Sequence, residues 1–167
     1  MPYTSSLIRC NSSGDIILLC ASVPAASVPA AFSNISESSK NVPSQKEMQA
    51  MLWLRENASE NGVIAASPKE GFLINAVSLR KNIIDDNFLM QKDAQTRYND
   101  VSEIYKTDFE TNGLKLLNKY RSKYIILSKN TQEEFNVSEL KYAEFKCFKK
   151  FYENEEISIT KTWCDLE

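Results

Sequence analysis

The sequence predicts an α/β domain, with a small, mainly parallel sheet flanked by helices and a C-terminal antiparallel hairpin. Three observations predict it. Two short apolar runs, VIAA at 63–66 and YIIL at 124–127, read as strands buried on both faces, as parallel strands are. Helix signals fall between the runs, so successive strands are joined by crossovers. Near the end, FKKFY (148–152) and ISITKT (157–162) flank a polar Glu153-Asn154-Glu155 turn, the pattern of a hairpin.

Taken in order, the elements begin at Ser44. Ser44 and Glu47 have capping-box spacing and start a helix over 45–59. Met48, Met51, Leu52 and Trp53 supply its apolar side, and Asn61-Gly62 stops it. After the strand at 63–66, residues 67–71 (SPKEG) read as a loop and 72–78 as one or two helical turns. NIID at 82–85 is the next strand. Residues 93–106 form a helix with Ala94, Tyr98, Val101 and Tyr105 at helical spacing. Thr107 and Glu110 repeat the capping-box spacing and start a further helix, whose Leu114, Leu116, Leu117 and Tyr120 share one face. The strand at 124–127 follows. Residues 131–144 read as a loop with a short helix. In the last strand Ile157 and Ile159 alternate with Ser158 and Thr160, so one face is wet.

Composition narrows the function. A chain of 167 residues, 43% hydrophobic, builds one packed core. Its net charge of -2 gives no basic balance for nucleic acid, so no nucleic-acid partner is expected. Lys146, Lys149 and Lys150 alternate with Phe145, Phe148 and Phe151 and read as a strand with a solvated face. The chain has no histidine, which removes the usual Ser and Cys triads and most zinc sites. It also lacks a G-x-G-x-x-G, a P-loop and a G-x-S-x-G elbow, so a small soluble enzyme is disfavoured. No catalytic residue, metal site or cofactor is expected in this chain. Of the cysteines, Cys10, Cys20, Cys147 and Cys164, none is in a C-x-x-C pair. Cys147 and Cys164 flank the hairpin and can meet across it. Connectivity is not readable from sequence, and we read them as unpaired thiols.

The first 43 residues differ in kind from the rest. Residues 16–32, IILLCASVPAASVPAAF, carry no charge and reach the lower limit of a bilayer span. Three readings stay open: the outer end of a membrane helix, a secretory signal preceded by Arg9, or a loosely packed arm. The first two place the rest outside the cytoplasm, membrane-associated or secreted. Residues 33–43, SNISESSKNVP, are a polar linker, and the folded domain is expected over 44–167.

Several motifs then form an ordered series: P-S-Q-x-E at 43–47, W-L-R-E-N at 53–57, D-D-N-F-L at 85–89, D-A-Q-x-R at 93–97, and Ile104-Tyr105. K-Y-R-S-K-Y-I-I-L at 119–127 and F-x-x-x-Y-E-N-x-x-x-x-I from Phe148 to Ile159 complete it. Over 43–162 this series resembles the C-terminal extracytoplasmic domain of archaeal oligosaccharyltransferase-like membrane glycosyltransferases of the GT-C type. The resemblance implies a parent enzyme that transfers sugar from a lipid-linked donor, with its metal-binding carboxylates in loops between membrane helices. It implies for this chain a non-catalytic domain that supports the membrane core or positions an acceptor. True oligosaccharyltransferases carry W-W-D-Y-G after the first soluble strand. Here the stretch is AASPKEG at 65–71, and only Gly71 matches, which implies a cousin with another acceptor. The implied partners are a membrane through 16–32 or the parent enzyme core, together with a glycan or acceptor. A different class, a free-standing secreted or membrane-tethered module binding protein or glycan, is the alternative.

The candidate binding residues lie where open α/β sheets place their ligands, outside the carboxyl ends of the strands. Ser67, Lys69 and Glu70 follow the first strand, and Asp85, Asp86 and Asn87 follow the second, with Arg97 on the helix beyond. Each also has an ordinary reading. Pro and Gly make 67–71 turn chemistry, and Asp85 and Asp86 suit a turn, a helix cap or an ion pair with Arg97. Adjacent side chains on an extended segment point apart, so the two Asp are not read as a paired acid and base. Tyr98, Tyr105 and Tyr120 read as core. Sequons occur at Asn11, Asn34, Asn57 and Asn136, of which Asn34 and Asn136 sit in linker or loop.

Overall fold

A computed structural model describes residues 42–87 and 92–165. The apolar run at 16–32, Cys10, Cys20, Asn11, Asn34, Phe88 and Leu89 lie outside the described residues.

The elements are α1 (Gln45–Asn57), β1 (Val63–Ala65), α2 (Pro68–Leu73), a π-helical turn (Ile74–Ser78) and β2 (Lys81–Asn82). Then come α3 (Ala94–Lys106), α4 (Glu110–Lys119), β3 (Ser122–Ser128), α5 (Lys129–Phe135), β4 (Phe148–Glu153) and β5 (Ile157–Thr162). The five strands form one sheet in the order β2-β1-β3-β5-β4. β1 runs parallel to β2 and β3, whereas β5 is antiparallel to β3 and β4. The fold class is therefore the expected α/β one: a parallel half, extended by an antiparallel hairpin.

β3 shows why the sheet needs helices on both faces. Tyr124 and Ile126 pack with Ala50, Met51 and Leu54 of α1 and Ile74 of the π turn. Ile125, between them, packs with Val101, Ile104 and Tyr105 of α3, Leu117 of α4 and Phe135 of α5. Period-2 alternation on a strand buried on both sides thus divides the interior into two cores. Full burial of each such Ile or Leu is worth about 1.5–3 kcal/mol.

Several expectations are corrected. α1 buries Ala50, Met51 and Leu54, while Leu52 is 44% exposed. The buried positions 50, 51 and 54 share one helical face, and Leu52 lies to the side of it. Residues 67–71 are not a loop. Ser67 caps α2, its hydroxyl accepting from Lys69 N, while Glu70 reaches back to Ser67 N, and Pro68 sits at the first helical position. The second strand is only Lys81–Asn82, because Asn82 donates to the carbonyls of Ser67 and Ile84 and accepts from Ile83 N, which turns the chain out of the ladder. α4 starts at Glu110 with Phe109 at its cap, and Thr107 accepts from Phe109 N instead of closing a capping box. The short helix expected after β3 is present as α5 and starts earlier, at Lys129, because Ser128 accepts from Thr131 N and caps it.

Cys147 and Cys164 are joined by a disulfide, not free. The register pairs Phe148 with Thr162, which carries the flanking cysteines to a Cα separation of 5.2 Å, inside the bridging range. Trp163 N donates to Cys147 O at 2.9 Å and extends the pairing to the bridge.

Candidate functional site

The candidate residues divide among three arrangements at the carboxyl ends of β1 and β2. The first is buried. Capping places the Glu70 carboxylate beneath the first turn of α2, where Oε2 accepts from Ser67 N at 3.3 Å and from Thr131 Oγ1 at 2.9 Å. Ser128 Oγ lies 3.2 Å from Thr131 Oγ1. Ser67, Glu70, Ser128 and Thr131 are all nearly inaccessible, at 3% or less. Glu70 Oε1 has no hydrogen-bond partner. Burial pushes the Glu70 carboxyl up to about 7, and the hydrogen bonds from Ser128, Thr131 and Ser67 offset only part of this. Tyr105 lies close by, its hydroxyl 2.8 Å from Ala65 O and 2.6 Å from Ile126 O. Burial first, and the nearby Glu70 second, raise that phenol well above its ordinary range.

The second arrangement lies on the surface. Lys69 pairs with Glu134 of α5 at 3.2 Å, and Tyr98 of α3 donates to the same carboxylate at 2.9 Å. Three helices are thus tied together near the ends of β1 and β3. The third is a turn. Asp85 Oδ1 accepts from Asn87 N at 3.0 Å, an Asx turn, with Asp86 and Asn87 exposed. Arg97 does not pair with either Asp. It donates to Ile83 O at 3.1 Å, pairs with Asp93 at 3.3 Å and lies over the Tyr120 ring.

Gly71 joins the first arrangement to the third. A Cβ at this position would lie 2.4 Å from Asp85 Cβ and 2.7 Å from Asp85 Cα. The backbones of α2 and the Asp85 turn touch there, and only glycine permits it.

Sequence reasoning did not find Ser128, Thr131, Glu134 or Tyr105 as site residues. Ser128 and Thr131 carried one signal, a Ser directly before a polar helix and directly after a strong strand, with Thr131 at the third helical position. Tyr105 was assigned to the core, where it does sit. The Asn136 sequon is exposed, at the left-handed cap of α5, and Asn57 donates to Trp53 O at the end of α1.

None of the candidate residues lines either of two surface cavities. One, of 450 Å³, lies between Tyr105, Lys106, Phe135, residues 136–139 and Lys141. The other, of 280 Å³, lies against Leu127, Leu140, Ala143 and Thr160. Among the described residues no group of Cys, Asp and Glu is gathered so as to hold a metal ion, and no helix is long and apolar enough to cross a membrane.

No model of a known family matches the sequence, and no curated protein matches it. Solved structures do. The C-terminal globular domain of an oligosaccharyltransferase from Archaeoglobus fulgidus aligns with a TM-score of 0.58 at 13% identity, covering 73% of this chain and 99% of that one. The chain therefore carries, almost end to end, the fold of that globular domain.

Proposed function

We propose that residues 44–167 are a non-catalytic extracytoplasmic domain of a lipid-linked-sugar-dependent membrane glycosyltransferase, and that 1–43 supply the apolar segment and linker leading to it. The observation that carries this reading is the match to 99% of the length of the oligosaccharyltransferase domain. The ordered series of motifs over 43–162 supports it from the sequence side. The disulfide supports the compartment, since such bonds persist where the environment is oxidising.

In this role the domain works as a scaffold, without a cofactor of its own. The buried carboxylate cluster and the Lys69–Glu134–Tyr98 tie hold α2, α3 and α5 over the strand ends. That leaves the Asp85–Asn87 turn exposed beside α2, where it serves to support the membrane core or to position an acceptor.

The test is to express the full chain, fractionate the membranes and assay glycosyl transfer from a lipid-linked oligosaccharide to a peptide. The expected result is a chain retained with a membrane glycosyltransferase after crosslinking, and no transfer by the chain alone. Transfer by the isolated chain would overturn the non-catalytic role. A soluble chain that crosslinks to no such enzyme would move the assignment to a free-standing binding module.

A further inference from the structure

The hairpin carries a feature that neither the cores nor the crevice uses. α1 packs over β3 and β5, with Tyr152 of β4 against its Trp53 at 5.4 Å, and from its edge three aromatic rings form a row on the same face. Trp53 of α1 lies 6.5 Å from Phe151 of β4, which lies 5.4 Å from Trp163, just past β5. Phe151 is 39% and Trp163 54% exposed. Exposed rings gathered in one patch are unusual on a surface that serves only solvation.

Two cations sit among these rings. Lys161 Nζ lies 4.2 Å from the Trp163 ring centre and 5.4 Å from that of Phe151, and Lys149 Nζ lies 5.9 Å from Phe151. Lys149 and Lys161 are direct cross-strand partners. Like charges placed directly opposite in an antiparallel ladder destabilise it. Neither lysine has a carboxylate ion-pair partner among the described residues, although seven ion pairs form elsewhere. The protein thus holds two ammonium groups together over aromatic faces with no carboxylate partner, an arrangement that an anion would further stabilise.

The edge geometry narrows the ligand. β4 is an edge strand, but its ladder is irregular between Lys150 and Tyr152, so Phe151 is bulged out of register. A bulge breaks the row of backbone groups that an added peptide strand needs, and it re-aims the side chain it carries. Phe151 is turned into the row while strand addition is blocked. What remains is a line of three partly exposed, tilted rings with two ammonium groups beside its central member, Phe151.

We propose that Trp53, Phe151 and Trp163, with Lys149 and Lys161, bind an acidic oligosaccharide. The rings take the apolar C–H faces of successive pyranose units, and the lysines take a ring carboxylate. The site rests on neither role proposed above. The register places Lys161 beside Tyr124, near the start of β3, whereas the carboxylate cluster lies at Ser128, its end.

The chain's two tryptophans are both in this row, so its intrinsic tryptophan fluorescence reports on the site directly. Trigalacturonate is titrated into the full-length protein, with maltotriose, poly-glutamate and phosphatidylserine vesicles as comparisons. Saturable quenching or shift by trigalacturonate alone is expected. Phe151→Ser should weaken it about tenfold, as should the double substitution Lys149→Gln with Lys161→Gln. An equal response to maltotriose, an equal response to poly-glutamate, or no response to trigalacturonate each overturns the proposal. Binding to vesicles alone, lost in Phe151→Ser, would reassign the patch to an anionic membrane surface.

Discussion

Glu70 is where a single residue departs furthest from what its type suggests. A carboxyl 3% accessible, with one oxygen unpartnered, favours its neutral form, and burial lifts it from 4.5 to about 7. Its native pKa lies above its unfolded one. Between pH 4.5 and about 7 the native state therefore keeps a proton that the unfolded chain has lost. The stabilisation from this group is complete below pH 4.5 and disappears as pH rises through about 7, a difference of roughly 3 kcal/mol. Glu70→Gln keeps the length and the back-bond to Ser67 N but cannot ionise. Urea unfolding at pH 5 and pH 8 should show a fall in stability in the native chain that is much reduced in the variant. Equal falls would mean that other groups set the pH profile. Tyr105 makes a second residue-scale case. Its hydroxyl sits between the carbonyls of Ala65 and Ile126, at the ends of neighbouring parallel strands. Tyr105→Phe withdraws the shared donor and leaves both buried acceptors short, so it should cost about 1–3 kcal/mol in thermal or urea unfolding.

At the scale of elements, two helical glycines separate backbone contact from side-chain contact. In α2 a methyl at Gly71 meets Asp85 Cα and Cβ and the Ile84 carbonyl, none of which can move without shifting the turn. In α4 the atoms nearest a methyl at Gly113 are all in the Tyr142 ring, at 3.0–3.3 Å. Gly71→Ala should therefore cost about 1–3 kcal/mol despite the gain in helix propensity. Gly113→Ala should cost less than Gly71→Ala, because a side-chain ring, though buried and bonded to Ile104 O, yields more readily than backbone, and about 1 kcal/mol of propensity offsets the shift. Comparing the two variants by urea unfolding checks the contrast, and equal losses would show that the close approach at Gly71 is not what matters. The same elements show how far sequence reaches. β3, β5 and α1 were legible because their signals are local: an apolar run, an alternation, a Ser-x-x-Glu box. α2 carries that same box at Ser67 and Glu70, yet Pro68 and Gly71 pulled the reading toward a turn. Of the Glu70 cluster only the Ser67–Glu70 half was legible, since its partner Thr131 lies 61 residues away and only the parallel β1–β3 pairing brings them together.

At the scale of the molecule, the parallel half is held by helices on both faces, whereas the hairpin leaves one edge to solvent. β4 contributes only Phe148 to the buried set, and the rest of that strand is exposed or half-buried. A strand so poorly covered needs another tie, and the Cys147–Cys164 bridge provides it across 17 residues. By limiting the unfolded chain, a bridge closing a loop of this size contributes about 3 kcal/mol. It also fixes the chain at the position next to Trp163, whose N–H bonds to Cys147 O. Reduction should therefore act on stability and on the aromatic row together. Replacing both cysteines by serine should lower the unfolding midpoint by an amount corresponding to about 3 kcal/mol. Near the N-terminal end of β4, amide hydrogen exchange at 148–150 should quicken far more than at 124–127, which parallel and antiparallel neighbours both hold. Uniform acceleration across both strands would mean that the hairpin does not open separately, and that the bridge stabilises the sheet as one unit.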